Sequence, residues 1–249
     1  STGGEHPGRV GMTTGDVLDL FGDPETRETE PDVPTHAERP DSVVLGRDVD
    51  VLNLALPFYV REGGHVLDVT SNRRKMWKGV RWNGPVTFAD VDPEVEPDLI
   101  CPWDEVPLED GSVDAIVFDP PHLPAAAATE GSLRQYVADY GLRQAPKVES
   151  GPADAFDGFL AEAHRLLSPD GVILAKIKDY VHNHRYQWTL VRWVQAVSRA
   201  EGLTACDLIV KVDPAGGNLK SGRWERAHHV RNAHCYWAVA RKGRCEPRR

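Results

Sequence analysis

The apolar run 115–118 is followed by four residues that could together hold an amine: Asp119, Pro120, Pro121 and His122. Proline has no N–H and a fixed φ, so two prolines direct the chain out of a strand along one rigid path. The Asp119 carboxylate and the Pro120 carbonyl are then two neighbouring acceptors for the two hydrogens of an amino group. The His122 imidazole offers a flat ring on which a base can lie. This pattern favours methyl transfer to an exocyclic amine.

Six short apolar runs predict the strands that would position this motif: residues 65–70, 86–90, 114–119, 171–177, 203–211 and 234–240. Apolar groups at helical spacing predict helices over residues 48–60, 156–167 and 187–201, the first interrupted or ended near Pro57. The second helix is expected to stop at the turn 168–171. Strands that alternate with helices predict an α/β fold with a mainly parallel sheet, whose ligands bind at the carboxyl ends of the strands.

The composition is that of an ordinary folded protein, because 41% of the 249 residues are hydrophobic and 27% are charged. There is no run of about 18 apolar residues, so we expect neither a membrane span nor a membrane partner. The first four residues show no signal-peptide pattern. The four cysteines form no C-x-x-C pair: Cys101, Cys206, Cys235 and Cys245. We therefore expect reduced thiols and a cytoplasmic protein.

The formal net charge of −9 is distributed unevenly along the chain. Residues 1–40 hold 3 basic and 9 acidic residues, residues 41–170 hold 11 and 23, and residues 171–249 hold 15 and 6. The first block has few large apolar groups, which predicts an acidic flexible arm followed by a single domain over residues 41–249. The basic last block indicates a surface for a polyanion, although a solvated basic face without a partner is the alternative.

Much of this basic charge lies in the glycine-rich stretch 211–233, which we expect to be a substrate-binding insertion. Basic groups interleaved with an aromatic ring suit contacts with the phosphates and bases of nucleic acid. The candidate nucleic-acid-binding residues are Lys220, Arg223, Trp224, Arg226 and Arg231. The alternative is a mobile hairpin whose Trp224 covers the core. A second candidate for contact with substrate is the segment 123–151, directly after the Asp119 motif.

The order of these motifs resembles that of class I S-adenosylmethionine-dependent methyltransferases, and within them the amino-methyltransferases with a D-P-P-aromatic motif. The likeness is to bacterial and phage-type DNA methyltransferases in which the motif reads D-P-P-H-L, here residues 119–123. The likeness covers roughly residues 63–242 and includes the sequence motifs at residues 66–68, 108–114 and 165–172. The resemblance implies a Rossmann-like sheet of seven strands, mainly parallel, with its last strand antiparallel.

The resemblance also implies which residues hold S-adenosylmethionine. Asp68 would lie beside the methionine moiety and Asp90 would accept hydrogen bonds from the ribose hydroxyls, although each acid could instead cap a turn. The loop after Asp68 lacks the usual glycines, and small polar residues are expected to serve in their place: Thr70, Ser71 and Asn72. Pro102 stands where many relatives have an acid for the adenine amino group. Trp103 is expected to stack on the adenine, with Asp104 within reach of it.

The activity implied by the resemblance is methylation of an exocyclic amino group of a nucleobase, with DNA adenine N6 as the first target and cytosine N4 as the next. DNA is favoured over RNA as the partner of the protein. The alternatives are an RNA base, a small-molecule amine, and a non-catalytic nucleic-acid-binding module with the same fold. Lys176 and Lys178 are placed like the lysine of ribose 2′-O-methyltransferases, but a pair with a carboxylate or a phosphate contact is favoured. The histidines and Cys235 match no common zinc spacing, so no metal site is predicted.

Overall fold

A central sheet organises the fold. The computed structural model describes residues 39–122, 156–182, 184–213, 229–230 and 232–245. Its strands are β1 (Val43–Leu45), β2 (Val66–Asp68), β3 (Val86–Asp90), β4 (Leu99–Ile100), β5 (Val113–Phe118), β6 (Leu167–Ile177), β7 (Tyr180–His182), β8 (Arg185–Gln187), β9 (Leu203–Val212) and β10 (His234–Lys242). Its helices are α1 (Asp48–Tyr59), α2 (Phe156–Leu166) and α3 (Thr189–Arg199).

Eight strands form the main sheet in the order β1-β9-β10-β6-β5-β2-β3-β4, and β7 pairs with β8 as a separate hairpin. Neighbouring strands are parallel except at β10, which is antiparallel to both β6 and β9. The chain runs outward from β2 to β4 and then returns to β5 on the other side of β2. Such a reversal creates a crevice at the carboxyl ends of the strands, where ligands bind in open α/β sheets. The predicted sheet with an antiparallel last strand is confirmed.

The main sheet has one strand more than the seven expected, because β1 pairs with the edge of β9. β1 is three residues long and β4 only two. Strands this short show no alternation of apolar and polar residues, so the sequence pattern locates neither of them. The hairpin of β7 and β8 also has no signal in the sequence pattern.

The turn expected at residues 168–171 lies within β6 as a bulge. The pairing of β5 with β6 shifts from Val113 opposite Leu167 to Ala115 opposite Val172, so four residues of β6 are accommodated in between. Asp170 takes a left-handed φ of 64° there, which aspartate tolerates better than most residues. The chain therefore passes from α2 into β6 with no separate loop. α1, in turn, continues through Pro57 and ends at Tyr59.

Alternate residues of β5 pack into two different cores. Ile116 and Phe118 belong to the core that α2 and α3 cover, whereas Ala115 and Val117 belong to the core that α1 covers. This is the side-chain alternation of a strand, and burial on both faces is typical of a central parallel strand. The sheet therefore has an α1 face and an α2/α3 face. Because successive side chains of a strand point to opposite faces, the position of a residue along its strand decides which of these two faces it lies on.

Cys206, on β9, and Cys245, just after β10, form a disulfide with Cα atoms 5.6 Å apart. The expectation of four reduced thiols is therefore wrong for this pair, while Cys101 and Cys235 are free and buried. The antiparallel pairing of β9 with β10 brings the two cysteines together across 39 residues of sequence.

No helix among the described residues is long and apolar enough to cross a membrane. The acidic arm over residues 1–40 lies outside the described residues except for its last two, and stays a prediction.

Candidate active site

The end of β5 presents Asp119 on the α1 face of the sheet. Asp119 continues the alternation of Ala115 and Val117, which belong to the core under α1. On β6, Lys176 follows Leu174 on the same face, and on β9 Lys211 follows Ile209 in the same way. The carboxyl end of the sheet therefore carries one acid and two lysines toward α1.

The first residue of α1, Asp48, completes a chain of four alternating charges. Lys176 Nζ donates to Asp119 Oδ2 and to Asp48 Oδ2, each at 3.0 Å. Lys211 Nζ lies 3.1 Å from Asp48 Oδ1. The four side chains are only 12 to 21% exposed. Charges this far out of water are retained only when they are paired, and each member here has an opposite charge beside it.

This pairing fixes the charge state of the site. Burial alone would raise the pKa of Asp119, but the Lys176 ammonium and the neighbouring His122 lower it well below its usual range. Burial would likewise lower the pKa of Lys176, and Asp119 and Asp48 raise it well above its usual range. The pKa of Asp48 is lowered by the two lysines, against the opposing effect of burial. Around neutral pH, therefore, Asp119 is a carboxylate and Lys176 an ammonium.

The second carboxylate oxygen of Asp119 is free to accept a hydrogen bond. His122 Nε2 lies 3.2 Å from Asp119 Oδ1, and this buried oxygen accepts no hydrogen bond from the described residues. A buried acceptor in this state costs roughly 1–3 kcal/mol, which a donor from a bound molecule would recover. The His122 ring is itself only 17% exposed and lies against the carboxylate. Within the motif, Pro120 is buried and Pro121 partly buried.

Thr70 connects this motif to the loop that follows β2. The Asp119 backbone N–H donates to Thr70 Oγ1 at 2.7 Å. Thr70 in turn is held by Asp68, whose Oδ1 accepts from the Thr70 backbone N–H at 3.0 Å. The two predicted halves of the site, the Asp119 motif and the loop after Asp68, are thus brought together by direct hydrogen bonds.

Asp68 itself is fully buried, with both carboxylate oxygens bound within the chain. Its Oδ2 accepts from Trp77 Nε1 at 2.6 Å, and its Oδ1 is bound by Thr70. Burial raises the pKa of Asp68 to about 7, although these two hydrogen bonds oppose the shift. Asp68 therefore shapes the loop, and contact with a ligand's methionine moiety stays a prediction.

The loop after β2 makes its turn without glycine. Asn72 and Arg74 adopt left-handed φ angles of 45° and 53°, the conformation that glycines would otherwise provide. Asp90, at the end of β3, holds this turn because its Oδ2 accepts from the Asn72 backbone N–H at 2.8 Å and its Oδ1 from Asp92 N–H at 3.0 Å. Burial raises the pKa of Asp90. Each oxygen of Asp90 keeps a second lone pair for a hydroxyl group.

Ser71 lies at the centre of this loop and is 2% exposed. Its backbone N–H donates to the Ala89 carbonyl at 3.1 Å, and its Oγ is buried without a hydrogen-bond partner. A hydroxyl without a partner at the carboxyl edge of β2 and β3 is what a polar ligand in the crevice would satisfy. Thr70, Ser71, Asn72 and Asp90 therefore fit a site for the ribose and amino-acid parts of a nucleoside cofactor.

Trp103 and Asp104 occupy the loop that follows β4. The Trp103 ring meets Phe118 edge-on, with centroids 5.8 Å apart, and is partly buried in the core. Asp104 is exposed and lies close to Gly158 in the first turn of α2. Trp103 is therefore beside the residue that precedes Asp119, whereas Asp104 is directed to α2. Their contacts with an adenine remain predictions.

The candidate nucleic-acid-binding residues Lys220, Arg223, Trp224, Arg226 and Arg231 lie outside the described residues, as does the segment 123–151. Within the part of the chain that is described, no three His, Cys, Asp or Glu side chains come together as a metal site. Lys176 pairs with carboxylates, which confirms the favoured interpretation of that residue.

Asp48 is a functional candidate that the sequence interpretation misses, and Lys211, expected in the substrate-binding insertion 211–233, lies on β9 and pairs with Asp48 instead. Neither residue belongs to a recognisable motif, and they are 163 residues apart in a chain of 249. The signal that could have found them is the strand alternation: Lys211 stands two residues after Ile209 on β9, and β1 pairs with β9 just before Asp48. Because β1 is too short to be read from sequence, this connection requires the structure.

Comparison with solved structures identifies the fold. A protein solved in complex with the Haloferax volcanii Trm112 methyltransferase activator, and named as a methyltransferase, aligns with a TM-score of 0.50 and 16% identity, covering 79% of this chain and 89% of that one. The chain has a class I methyltransferase fold. A Galdieria sulphuraria protein named as a sarcosine dimethylglycine methyltransferase aligns with a TM-score of 0.50 and 12% identity over 78% and 85% of the two chains.

A third similar structure of this methyltransferase fold is the Burkholderia thailandensis 1,6-didemethyltoxoflavin-N1-methyltransferase with bound S-adenosylhomocysteine, at a TM-score of 0.48, 15% identity and 79% coverage of both chains. No protein-family model and no curated protein sequence matches the chain.

Proposed function

We propose that this protein is an S-adenosylmethionine-dependent N-methyltransferase that acts on an exocyclic amino group of a nucleobase, with adenine N6 of DNA as the first target and cytosine N4 as the next. The observation that carries the proposal is Asp119 Oδ1. It is a buried carboxylate oxygen without a hydrogen-bond partner, on an acid kept ionised by Lys176, at the ligand-binding edge of a methyltransferase fold.

The cofactor is supported by the loop after β2. Asp90 would accept from the ribose hydroxyls, and the unpartnered Ser71 Oγ would bind a polar group of the methionine moiety. When bound, S-adenosylmethionine supplies a methyl group on a sulfonium, which is already activated for transfer. The protein therefore has to position the acceptor and exclude competing water.

Asp119 would position the acceptor by accepting one amino hydrogen through Oδ1. Its Oδ2 is occupied by Lys176, so the second amino hydrogen would go to the Pro120 carbonyl. Held at both hydrogens, the amine has its lone pair turned out of the plane that contains the two acceptors. Because the pKa of Asp119 lies well below its usual range, the carboxylate orients the amine, and the proton that the methylated nitrogen would release would pass to solvent and not remain on Asp119.

The charge of Lys176 favours an amine over a hydroxyl as the acceptor. A lysine that deprotonates a ribose hydroxyl must be able to lose its own proton near neutral pH. Lys176 donates to two carboxylates, which raise its pKa above the usual value despite burial. It is therefore a fixed cation that supports Asp119. This supports N-methylation over 2′-O-methylation.

The basic balance of residues 171–249, with 15 basic and 6 acidic residues, supports a nucleic acid as the molecule that carries the amine. A base in a duplex is stacked and paired, so it would have to leave the helix to reach Asp119. The His122 ring, beside the Asp119 carboxylate, would then lie against the extruded base.

The experiment that tests the proposal is transfer of tritium-labelled methyl groups from S-adenosylmethionine to three separate acceptors: unmethylated genomic DNA, total RNA and a small-molecule extract. Label that nuclease digestion recovers from DNA as N6-methyladenine supports the proposal, and N4-methylcytosine supports its second target. Label only in RNA or in the extract would overturn the choice of DNA. Absence of label together with absence of cofactor binding in calorimetry would overturn the enzyme itself and leave a non-catalytic module.

A further inference from the structure

The connection between β2 and β3 carries an isolated concentration of positive charge. Residues 73–81, here named the basic segment, contain five cations: Arg73, Arg74, Lys75, Lys78 and Arg81. They are five of the 11 basic residues in the otherwise acidic block 41–170, and residues 69–89 contain no acid at all. The charge is therefore not part of the basic C-terminal third and is not offset by its own sequence neighbours.

Packing turns these cations outward. The apolar residues that alternate with them, Met76, Trp77, Val80 and Trp82, pack against the core under α1. The side chains of Arg73, Lys75, Lys78 and Arg81 are exposed. The segment is thus divided into apolar residues that anchor it to the core under α1 and cations that are exposed to solvent.

The basic segment is held firmly in place by side chains of its neighbours. Asn53 of α1 accepts from the Arg81 backbone N–H at 2.6 Å and donates to the Gly79 carbonyl at 3.2 Å. Trp77 Nε1 donates to the buried Asp68 at 2.6 Å. The backbone that presents the cations is therefore fixed, which lowers the entropy cost of binding a ligand there.

Four of the cations are not neutralised within the described structure. Arg74 contacts Asp98 at 3.4 Å and lies over the Phe88 ring. For the side chains of Arg73, Lys75, Lys78 and Arg81, the described residues provide neither a hydrogen bond nor an ion pair. Four exposed cations without an ion pair among the described residues, on a protein of net charge −9, can therefore attract an anionic ligand.

The position of the segment relates it to the active site. It begins directly after Asn72, whose backbone N–H is bound by Asp90 at the carboxyl edge of the sheet. It ends beside Asn53, in the middle of α1. The backbone of the segment therefore leads away from the crevice, from the carboxyl edge of the sheet to the middle of α1, and carries its cations along that path. A polymer with regularly spaced charges fits such a path.

We propose that the basic segment binds the phosphate backbone of the nucleic acid that carries the target base. This rests on the proposed function, because it assumes a polynucleotide substrate for the Asp119 site. The segment would position the strand through its phosphates and leave the choice of base to the crevice.

The test compares two triple variants of the full chain. In the first, Lys75→Gln, Lys78→Gln and Arg81→Gln remove three cations of the segment and keep their polar character, with Arg73 left intact because it adjoins the cofactor loop. In the matched control, Arg39→Gln, Arg47→Gln and Arg61→Gln remove three exposed cations that lie outside both the basic segment and the basic block 171–249. Binding of a fluorescent 30-nucleotide duplex and of the corresponding single strand is measured by anisotropy between 50 and 200 mM salt, and cofactor binding by calorimetry.

Each phosphate contact contributes about 0.9 to the slope of log affinity against log salt for duplex DNA, so the segment variant should lose about 3 from this slope and at least tenfold in affinity at low salt. The control should change affinity less than threefold, and cofactor affinity should be unchanged in both. Equal slopes for the two variants would overturn the proposal. Loss of cofactor affinity in the segment variant would also overturn it, because the cations would then serve the cofactor. Binding is measured without turnover, so a protein that binds DNA through the segment but transfers no methyl group contradicts only the proposed function.

Discussion

Lys176 Nζ is placed between two carboxylates, 3.0 Å from Asp119 Oδ2 and 3.0 Å from Asp48 Oδ2. One contact fixes the acid of the D-P-P-H motif, and the other fixes the lysine to the start of α1. The motif is therefore supported by a helix that lies 60 residues or more before it in sequence. This support predicts which distant substitutions will disturb the site.

Asp48→Asn should destabilise the protein by about 1 to 3 kcal/mol, because it leaves Lys211 unpaired and Lys176 with one carboxylate in a partly buried site. Urea unfolding at pH 7 measures the change. Asp50→Asn is the matched control: Asp50 is exposed two residues further along α1, and an asparagine can still accept from the Arg47 N–H. It should cost less than about 0.5 kcal/mol. Equal effects of the two substitutions would show that the charge chain contributes nothing to stability.

Asp90→Ala should weaken the binding of S-adenosylmethionine by about ten- to a hundredfold, the loss expected when hydrogen bonds to a charged acceptor are removed. Isothermal titration calorimetry measures the dissociation constant. Asp92→Asn is the control, since the Asp92 side chain accepts from the Glu94 N–H on the same turn and is not assigned to the cofactor. Cofactor affinity that survives Asp90→Ala would remove Asp90 from the cofactor site.

Ionisation of the buried Asp68 should lower the free energy of unfolding as the pH rises. Its pKa is raised from 3.8 to about 7 in the folded protein, so between these values the folded state binds more protons than the unfolded state. The free energy of unfolding then falls as the pH increases through this window. The difference in stability between pH 5 and pH 8 should shrink in Asp68→Asn, measured by urea unfolding at both values. If Asp68→Asn and wild type lose the same stability between pH 5 and pH 8, Asp68 is ionised throughout that range.

His122→Ala should raise the KM for a nucleic-acid acceptor by about five- to a hundredfold, because stacking of one base on a ring contributes about 1–3 kcal/mol. His122→Phe keeps a flat ring and should retain most of the affinity. Steady-state kinetics at saturating cofactor measures both variants. If His122→Phe raises the KM as much as His122→Ala does, the imidazole acts through its nitrogen beside Asp119 and not as a stacking surface.

Much of the fold could be predicted because the long elements carry strong patterns. β5 and β10 are apolar runs, and α2 and α3 have one apolar face each. β1 and β4 could not be predicted, since strands of two or three residues are defined by pairing and not by composition. The disulfide of Cys206 and Cys245 likewise depends on the pairing of β9 with β10.

The site was partly predictable for a similar reason. The Asp119 motif and the loop after Asp68 are local in sequence, and Thr70 and Asp119 meet in the structure. The charge chain through Asp48 and Lys211 is long-range, and no spacing rule connects its members. The left-handed turn at Asn72 could not be predicted either, because the loop lacks the glycines that usually indicate such a turn.

The role of Asp119 is tested by the effect of Asp119→Ala on turnover and on cofactor affinity, both measured in the same preparation. Turnover is followed by transfer of labelled methyl groups to unmethylated DNA, and the dissociation constant for S-adenosylmethionine by calorimetry. We expect kcat to fall at least about a thousandfold, since the amine loses its positioning acceptor, while the dissociation constant changes less than about threefold. Turnover that persists near the wild-type rate, or a loss of cofactor affinity in parallel with activity, would contradict the assignment of Asp119 as the residue that holds the amine.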